Sequence, residues 1–298
     1  DVFTTIAEHM RDSGYRTSAI GKNVFLHPEF NVDQGFMEYN FFPKRKVLVD
    51  SFGGALIHIV FPKHFRADAS TSDLTDLTIK WLTKNRDNDF FLWVHYFDPH
   101  IPYTPPAEYL VDNNNSQSSI ENNFYGVGAI RNGHFSPNLA ERKRIKQLYD
   151  AEVRYVDESV GQLFEAIKEL GLYNDSLIIL TSDHGEEFWD HDGFEHGHTL
   201  YNELINVPLI IKLPYKQQNK QIDIAVTTQS IMPTILELSG ISMENGPYIS
   251  GSLVPLLENN EAAYKVNPII SSSLLYYEAR ESAVFDENKY IRTIITNE

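Results

Sequence analysis

Between Asn138 and Gly171, apolar residues recur at steps of three and four: Ile145, Leu148, Tyr149, Val153, Val156, Val160, Leu163, Phe164 and Ile167. That spacing predicts one long amphipathic helix, ended by Gly171. The run "SLIILTS" follows almost at once and reads as a buried strand. A helix this long that delivers the chain straight into a buried strand suits an α/β fold, in which helical connections return the chain between parallel strands.

The same alternation runs through the rest of the chain. Phe3, Ile6, Ala7 and Met10 sit at helical spacing and predict a helix over 3–13, which "SGY" stops before a short strand, "RTSAIG". "STSDLTDLTIKWLTKN" offers Ser and Thr as N-caps and Leu74, Leu77, Trp81 and Leu82 as an apolar stripe, and "FFLWVHYF" then reads as a buried strand. Further on, "VPLIIKLP" predicts a strand and "SIMPTILELSG" a helix with a glycine stop. The order predicts an α/β fold with a mainly parallel central sheet flanked by helices on both faces. Polar residues just past the carboxyl ends of such strands are expected to converge on a common crevice. The segment "VDNNNSQSSIENNFYGVGAIRNGHFSPN" reads as an irregular surface loop and a candidate lid. From Val266 onward, "PIISSSLL", "SAVFD" and "KYIRTII" predict short strands of a small C-terminal antiparallel sheet. The expected organisation is a domain over 1–265 and the start of a C-terminal antiparallel subdomain over 266–298.

Composition excludes several functions. A formal charge of −16 argues against a nucleic-acid partner, and the basic runs "KRK" at 44–46 and "RKR" at 142–144 read as solvated faces. An acidic protein that handles an anion needs a bound cation or a few placed Lys, Arg and His side chains. No apolar run reaches the length of a membrane span. With no cysteine among the 298 residues, disulfides, zinc–thiolate sites and a thiol nucleophile are excluded within them. The first residues, "DVFTTIAEHMRDSGYRT", lack the basic start and continuous apolar segment of a signal peptide.

Three candidates fall past strand ends: Lys22, His100 and the pair Asp183–His184. Asp183 and His184 would face opposite ways at an extended strand end, and Gly185 permits the turn that brings them together. A turned Asp–His pair can bind one cation. Carboxylate-rich surroundings favour Ca²⁺ or Mg²⁺, and added imidazoles favour Zn²⁺ or Mn²⁺. Taken alone, Asp183 reads equally as a turn cap and His184 as a surface imidazole, Lys22 as a surface lysine, and His100 as a loop residue satisfying backbone groups.

In sequence order, "FTTIAEHMRDSGYRTSAIGK", "FFLWVHYFDPHIPYTPP", "LYDAEVRYVDESVGQLFEAIKELGLYNDSLIILTSDHGEEF", "HTLYNELINVPLIIKLP", "QSIMPTILELSGI" and "ISGSLVPLL" resemble successive segments of the sulfatases of the alkaline phosphatase superfamily. The resemblance implies metal-dependent hydrolysis of a sulfate ester. It assigns Asp183 and His184 to a divalent metal, usually calcium, and places Lys22 and His100 against the sulfate oxygens or the leaving oxygen. Where the family usually has a second lysine, this chain has "EHGHT", so His196 or His198 takes that place as anion contact, proton donor or metal ligand. Trp-His, common after the first family lysine, is replaced by "GKNVFLHPEF", leaving His27 as the nearest histidine.

The family builds its nucleophile, a formylglycine, from a Cys/Ser-x-Pro-x-Arg motif and takes further metal ligands from an Asp-Asp pair. Neither occurs here. The expectation is that the chain begins after both and is inactive alone. Alternatives are a phosphodiesterase, phosphonate hydrolase or phosphoglycerol-type transferase of the same superfamily, and a non-catalytic relative. The implied partner is a small-molecule or carbohydrate sulfate ester. Relatives of this kind are often exported, to the periplasm or outside the cell, and any leader would lie upstream of Asp1. Oligomeric state is open.

Overall fold

A computed structural model describes residues 3–42, 70–110, 128–130, 133–197, 199–216, 219–242, 250–264, 269–274 and 290–295. They belong to two compact units, one of residues 1–129 and 135–174 and the other of residues 130–134 and 175–298.

The first unit opens with helix α1 (Ile6–Asp12). The Thr5 hydroxyl accepts the Glu8 N–H, and the Glu8 carboxylate accepts the Thr5 N–H, so two amides that a helix start leaves orphaned are satisfied. The helix is shorter than its apolar spacing predicts. Phe3 lies before the extended Thr5 cap and is exposed, while Ala7 and Met10 are buried. The cap fixes where helical backbone begins, and an apolar side chain upstream of it cannot join the buried face.

Strand β1 (Arg16–Gly21) forms the middle of a three-stranded sheet, parallel to β2 (Glu38–Phe41) on one side and β3 (Phe90–His95) on the other. Thr17, Ser18, Ala19 and Ile20 are all buried. Because successive residues point to opposite faces, both faces of β1 are covered, as expected for a parallel sheet in an α/β fold. Helix α2 (Thr71–Asn85) starts at Ser70, which forms a reciprocal cap with Asp73. Its Leu74, Trp81 and Leu82 pack with Ile20 into a core, against which Phe90, Leu92, Leu163 and Ile167 also lean.

Helix α3 (Leu139–Glu169) is capped by Asn138 and ends before Gly171, whose φ of 76° lies in the left-handed region. Its buried stripe differs from the apolar pattern: Val153 is exposed, while Ala151, Glu152 and Ser159 are buried. Glu152 goes inside because its carboxylate accepts the Thr104 N–H at 2.6 Å. A hydrogen-bonded carboxylate can occupy a core position that apolar periodicity assigns to a neighbour.

Arg16 ties β1 to β2 by donating to Glu38 through Nη2 at 2.8 Å and Nε at 3.2 Å, and Trp81 Nε1 donates to the other Glu38 oxygen at 3.1 Å. These bonds, Arg16 foremost, hold the Glu38 pKa below the ordinary carboxylate value. The stabilisation is therefore complete above the unfolded pKa and is lost as pH falls through the depressed folded value. Glu38→Gln is expected to lower stability by about 1 kcal/mol at pH 7, the pair being partly exposed and screened. Thermal melts of both proteins check this, and a gap that fails to shrink between pH 7 and pH 3 would refute it.

In the second unit, β4 (Ile178–Thr181) is followed by a hairpin of β5 (Glu187–Phe188) and β6 (Phe194–Glu195), then by the short helix α4 (Asn202–Ile205) and β7 (Leu209–Lys212). β4 and β7 pair antiparallel, unlike the parallel pairing expected of alternating elements. The reason lies in the connection. It contains a hairpin and one helical turn in place of a sheet-spanning helix, so the chain comes back along β4 in the opposite direction.

Helices α5 (Ile231–Leu238) and α6 (Val254–Leu257) follow, linked by the buried bond from the Leu253 N–H to Thr234 Oγ1 at 2.8 Å. The C-terminal strands β8 (Ile269–Leu274) and β9 (Tyr290–Ile295) pair antiparallel, as their composition predicts. "SAVFD", "KRK" and most of the candidate lid, residues 111–127, lie outside the described residues. Among the described residues no helix is long and apolar enough to cross a membrane.

Candidate active site

Lys22 and His100 belong to the first unit. Lys22 follows Gly21 at the carboxyl end of the central strand, and its N–H donates to the His95 carbonyl at 3.3 Å. Gly21 leaves room for close approach: a Cβ there would lie 2.9 Å from Leu26 Cδ1 and 3.3 Å from His95 Cβ, so the Leu26 side chain would have to move aside. The turn carrying Leu26 can therefore fold down over the end of β1. Lys22 is only 8% exposed, and within its unit no described carboxylate forms an ion pair with it. A nearly buried ammonium without a carboxylate favours an anion beside it. His27, the nearest histidine in sequence, has a local role, its Nδ1 accepting the Glu29 N–H at 3.2 Å at the start of a short turn of helix.

His100 sits in the loop after β3, which is tethered at both ends. Asp98 accepts from the Thr71 hydroxyl at 2.7 Å at the start of α2, and Thr104 donates to Glu152 of α3. Between these tethers Ile101 and Tyr103 are buried, and Tyr103 packs edge-on against Tyr149 of α3. The His100 ring stacks on Phe97 with centroids 4.5 Å apart, and its Nδ1 lies 2.7 Å from the Ile101 carbonyl. A carbonyl only accepts, so Nδ1 carries the proton and Nε2 is the chemically variable nitrogen.

Asp183, His184 and His196 belong to the second unit. Past β4 the chain turns tightly: Ser182 Oγ donates to the His184 carbonyl at 2.7 Å, and the His184 N–H donates to Asp183 Oδ1 at 3.0 Å. The turn leaves Asp183 Oδ2 and His184 Nε2 3.8 Å apart, a span that two ligands of one cation can cover. His184 Nδ1 lies 2.8 Å from the Gly185 carbonyl and so donates to it, leaving the lone pair on Nε2. Gly185 enables this differently from the sequence expectation. Its φ is not in the left-handed region; what demands glycine is that a Cβ would overlap the Glu203 carbonyl oxygen and stand 3.0 Å from its carbon. The Gly185 N–H donates to the Leu204 carbonyl at 2.9 Å, which straps the turn to α4.

The His184 and His196 rings lie against each other, tilted by 30° with centroids 3.9 Å apart, and His196 Nδ1 is 2.8 Å from Glu186 Oε1. Asp183, His184 and His196 are thus gathered around one turn, while His198 lies outside the described residues.

Apolar patterning did not single out a further group. Glu187, His191 and Glu203 bring one ligand atom each within 4.8 Å of one another and can hold a metal ion. Buried Glu187 also accepts from the His191 and Gly193 N–H groups, and His191 stacks on Tyr201 while bonding Glu203 at 2.6 Å. That bond raises the His191 pKa above its ordinary value. The available signal was "DHDG", a turn sequence that folds residues 187–195 into a hairpin.

The parallel sheet with chemistry-bearing residues beyond its strand ends defines an α/β protein. Phosphonate monoester hydrolase from Silicibacter pomeroyi shares this fold, with a TM-score of 0.71 at 17% identity over 98% of this chain and 69% of that one. So does a structure solved with its substrate D-glucosamine-2-N,6-O-disulfate, with a TM-score of 0.66 at 17% identity over 92% of this chain and 68% of that one. The chain belongs to the sulfatase family, whose pattern its residues 1–241 match. A sulfatase of Formosa agariphila is 26% identical over 284 residues, which are 86% of this chain and 56% of that protein. The chain spans about half the length of the curated relatives it matches.

Proposed function

We propose that the full-length protein hydrolyses sulfate esters. In this reading Asp183 and His184 hold a divalent cation, Lys22 and His100 serve the sulfuryl oxygens and the leaving oxygen, and His196 or His198 supplies a further anion contact or proton. The observation that carries the proposal is the turn after β4. It sets a carboxylate and an imidazole 3.8 Å apart, with the second nitrogen of His184 committed to a carbonyl, in a chain that matches the sulfatase family.

The donor set fits a divalent cation, and the neighbouring carboxylates make Ca²⁺ the first choice, with Mg²⁺, Mn²⁺ and Zn²⁺ to be compared. When bound, such an ion polarises the sulfuryl oxygens as a Lewis acid. The chain's own residues do the rest. The Lys22 ammonium offsets charge that spreads over the oxygens as the ester bond breaks, without reorganising. His100, held by its Nδ1–H on the Ile101 carbonyl, presents Nε2 as the site at which a proton is held or passed to the departing oxygen. The substrate class proposed is a carbohydrate sulfate, in line with the sulfated glucosamine bound by the structural neighbour.

The test is turnover of an aryl sulfate and of sulfated glucosamine by the full-length protein, beside the matching phosphate and phosphonate esters. Hydrolysis of sulfate esters that stops on chelation and returns with Ca²⁺ is expected. Faster turnover of the phosphorus esters would instead assign the site to phosphoryl transfer.

A further inference from the structure

The hairpin after the Asp183–His184 turn has a register that the assignment of single residues does not use. Glu187 pairs with Glu195 and Phe188 with Phe194. Extending that antiparallel register by one residue sets Glu186 opposite His196, and the two side chains meet there, Oε1 to Nδ1, at 2.8 Å. Their side chains are only 5% and 19% exposed. A carboxylate removed from water to that degree needs a committed donor, and the imidazole supplies it.

The backbone around His196 is held in an uncommon shape. Glu195, immediately before it, has φ 78° although it is not glycine, and Gly197, immediately after, has φ 85°. A non-glycine residue in the left-handed region costs energy and persists only where its surroundings over-determine it. Here the surroundings are the two-residue ladder, the Glu186 bond and the tilted packing of the His196 ring on His184 at 3.9 Å.

From these observations we infer that Glu186 is a positioning residue for His196. It holds the imidazole as the Nδ1–H tautomer against His184, so that its chemistry is confined to Nε2. The inference deepens the sulfatase reading and rests on it for the part His196 plays in turnover. Glu186 acts through His196 and needs no contact with substrate.

The test uses the full-length protein with Glu186→Gln, Glu186→Ala, His196→Ala and the double variant Glu186→Ala/His196→Ala. Glu186→Ala should lower kcat by roughly 10- to 100-fold, the usual cost of losing a partner that orients a functional imidazole, with KM changed less than about twofold. Glu186→Gln keeps an acceptor oxygen in place and should recover most of that loss. The double variant should be no slower than His196→Ala, since both changes remove one function. Losses that multiply in the double variant, or a Gln variant as slow as the Ala variant, would overturn the inference.

Imidazole ¹⁵N spectra supply a readout that does not depend on turnover. His196 should show a protonated Nδ1 in the parent and in Glu186→Gln, and a mixed or reversed tautomer in Glu186→Ala. A protonated Nε2 with bare Nδ1 in the parent would also overturn the inference. If the parent hydrolyses no sulfate ester, the functional reading fails, while the spectra still decide the role of Glu186.

Discussion

Asp183→Asn in the full-length protein is expected to lower kcat/KM for a sulfate ester by about 10³-fold and to remove the rise in melting temperature that Ca²⁺ gives the parent. The substitution is nearly isosteric. The amide oxygen still accepts the His184 N–H as Asp183 Oδ1 does at 3.0 Å, so the turn survives. What goes is the negative charge at the second oxygen, 3.8 Å from His184 Nε2. A divalent ion held by a carboxylate and a neutral imidazole loses its only formal counter-charge within that pair, and hard cations depend on anionic oxygens. Melting curves with and without Ca²⁺, run beside the activity assay, separate loss of the ion from loss of fold. An Asn variant that keeps its Ca²⁺ response would remove Asp183 from the metal site.

Gly185→Ala is expected to be comparably damaging for a steric reason. The added methyl would overlap the Glu203 carbonyl oxygen and press on Leu204 Cα at 3.4 Å, and all of these are backbone atoms. No rotamer change relieves the overlap, so the turn and α4 must separate and the bond from the Gly185 N–H to the Leu204 carbonyl must lengthen or break. Overpacking of this kind costs about 1–3 kcal/mol, to which a lost backbone bond adds roughly 1 kcal/mol. Because the same turn carries Asp183 and His184, Ca²⁺ affinity should fall together with stability. Calorimetric Ca²⁺ titration alongside urea unfolding measures both; a variant with parental values for each would show that the turn tolerates a wider separation.

Elements whose apolar residues coincide with their buried residues were legible in the sequence. "RTSAIG" is strand β1 residue for residue, Ser70 caps α2, and Asn138 and Gly171 bracket α3. Periodicity failed where hydrogen bonds decide burial. Glu152 enters the core because a backbone amide meets it there, and Phe3 stays out because Thr5 fixes the helix start. Strand direction was hidden for a related reason: "VPLIIKLP" reads the same in either orientation, and only the short helix and hairpin before it make β7 run antiparallel to β4.

For the site, residue types located Lys22, His100, Asp183 and His184 at the ends of strands or the loops after them. Spacing alone did not expose the partners that orient these residues. Glu186 and His196 are ten residues apart and meet only through a ladder of two residue pairs, too short to leave an alternating pattern. The steric need at Gly185 was also hidden, since it comes from a carbonyl eighteen residues further along the chain.

The loop carrying His100 is moored to α2 through Thr71 and Asp98, and to α3 through Thr104 and Glu152. Variation can therefore tune this imidazole from outside the loop. A methylene gained or lost at position 152, or a hydroxyl gained or lost at 71, resets where the ring stands while every residue from Pro99 to Tyr103 stays the same. Lineages that diversify at these two helical positions would carry an unaltered "DPHIPY" and still differ in where the imidazole stands.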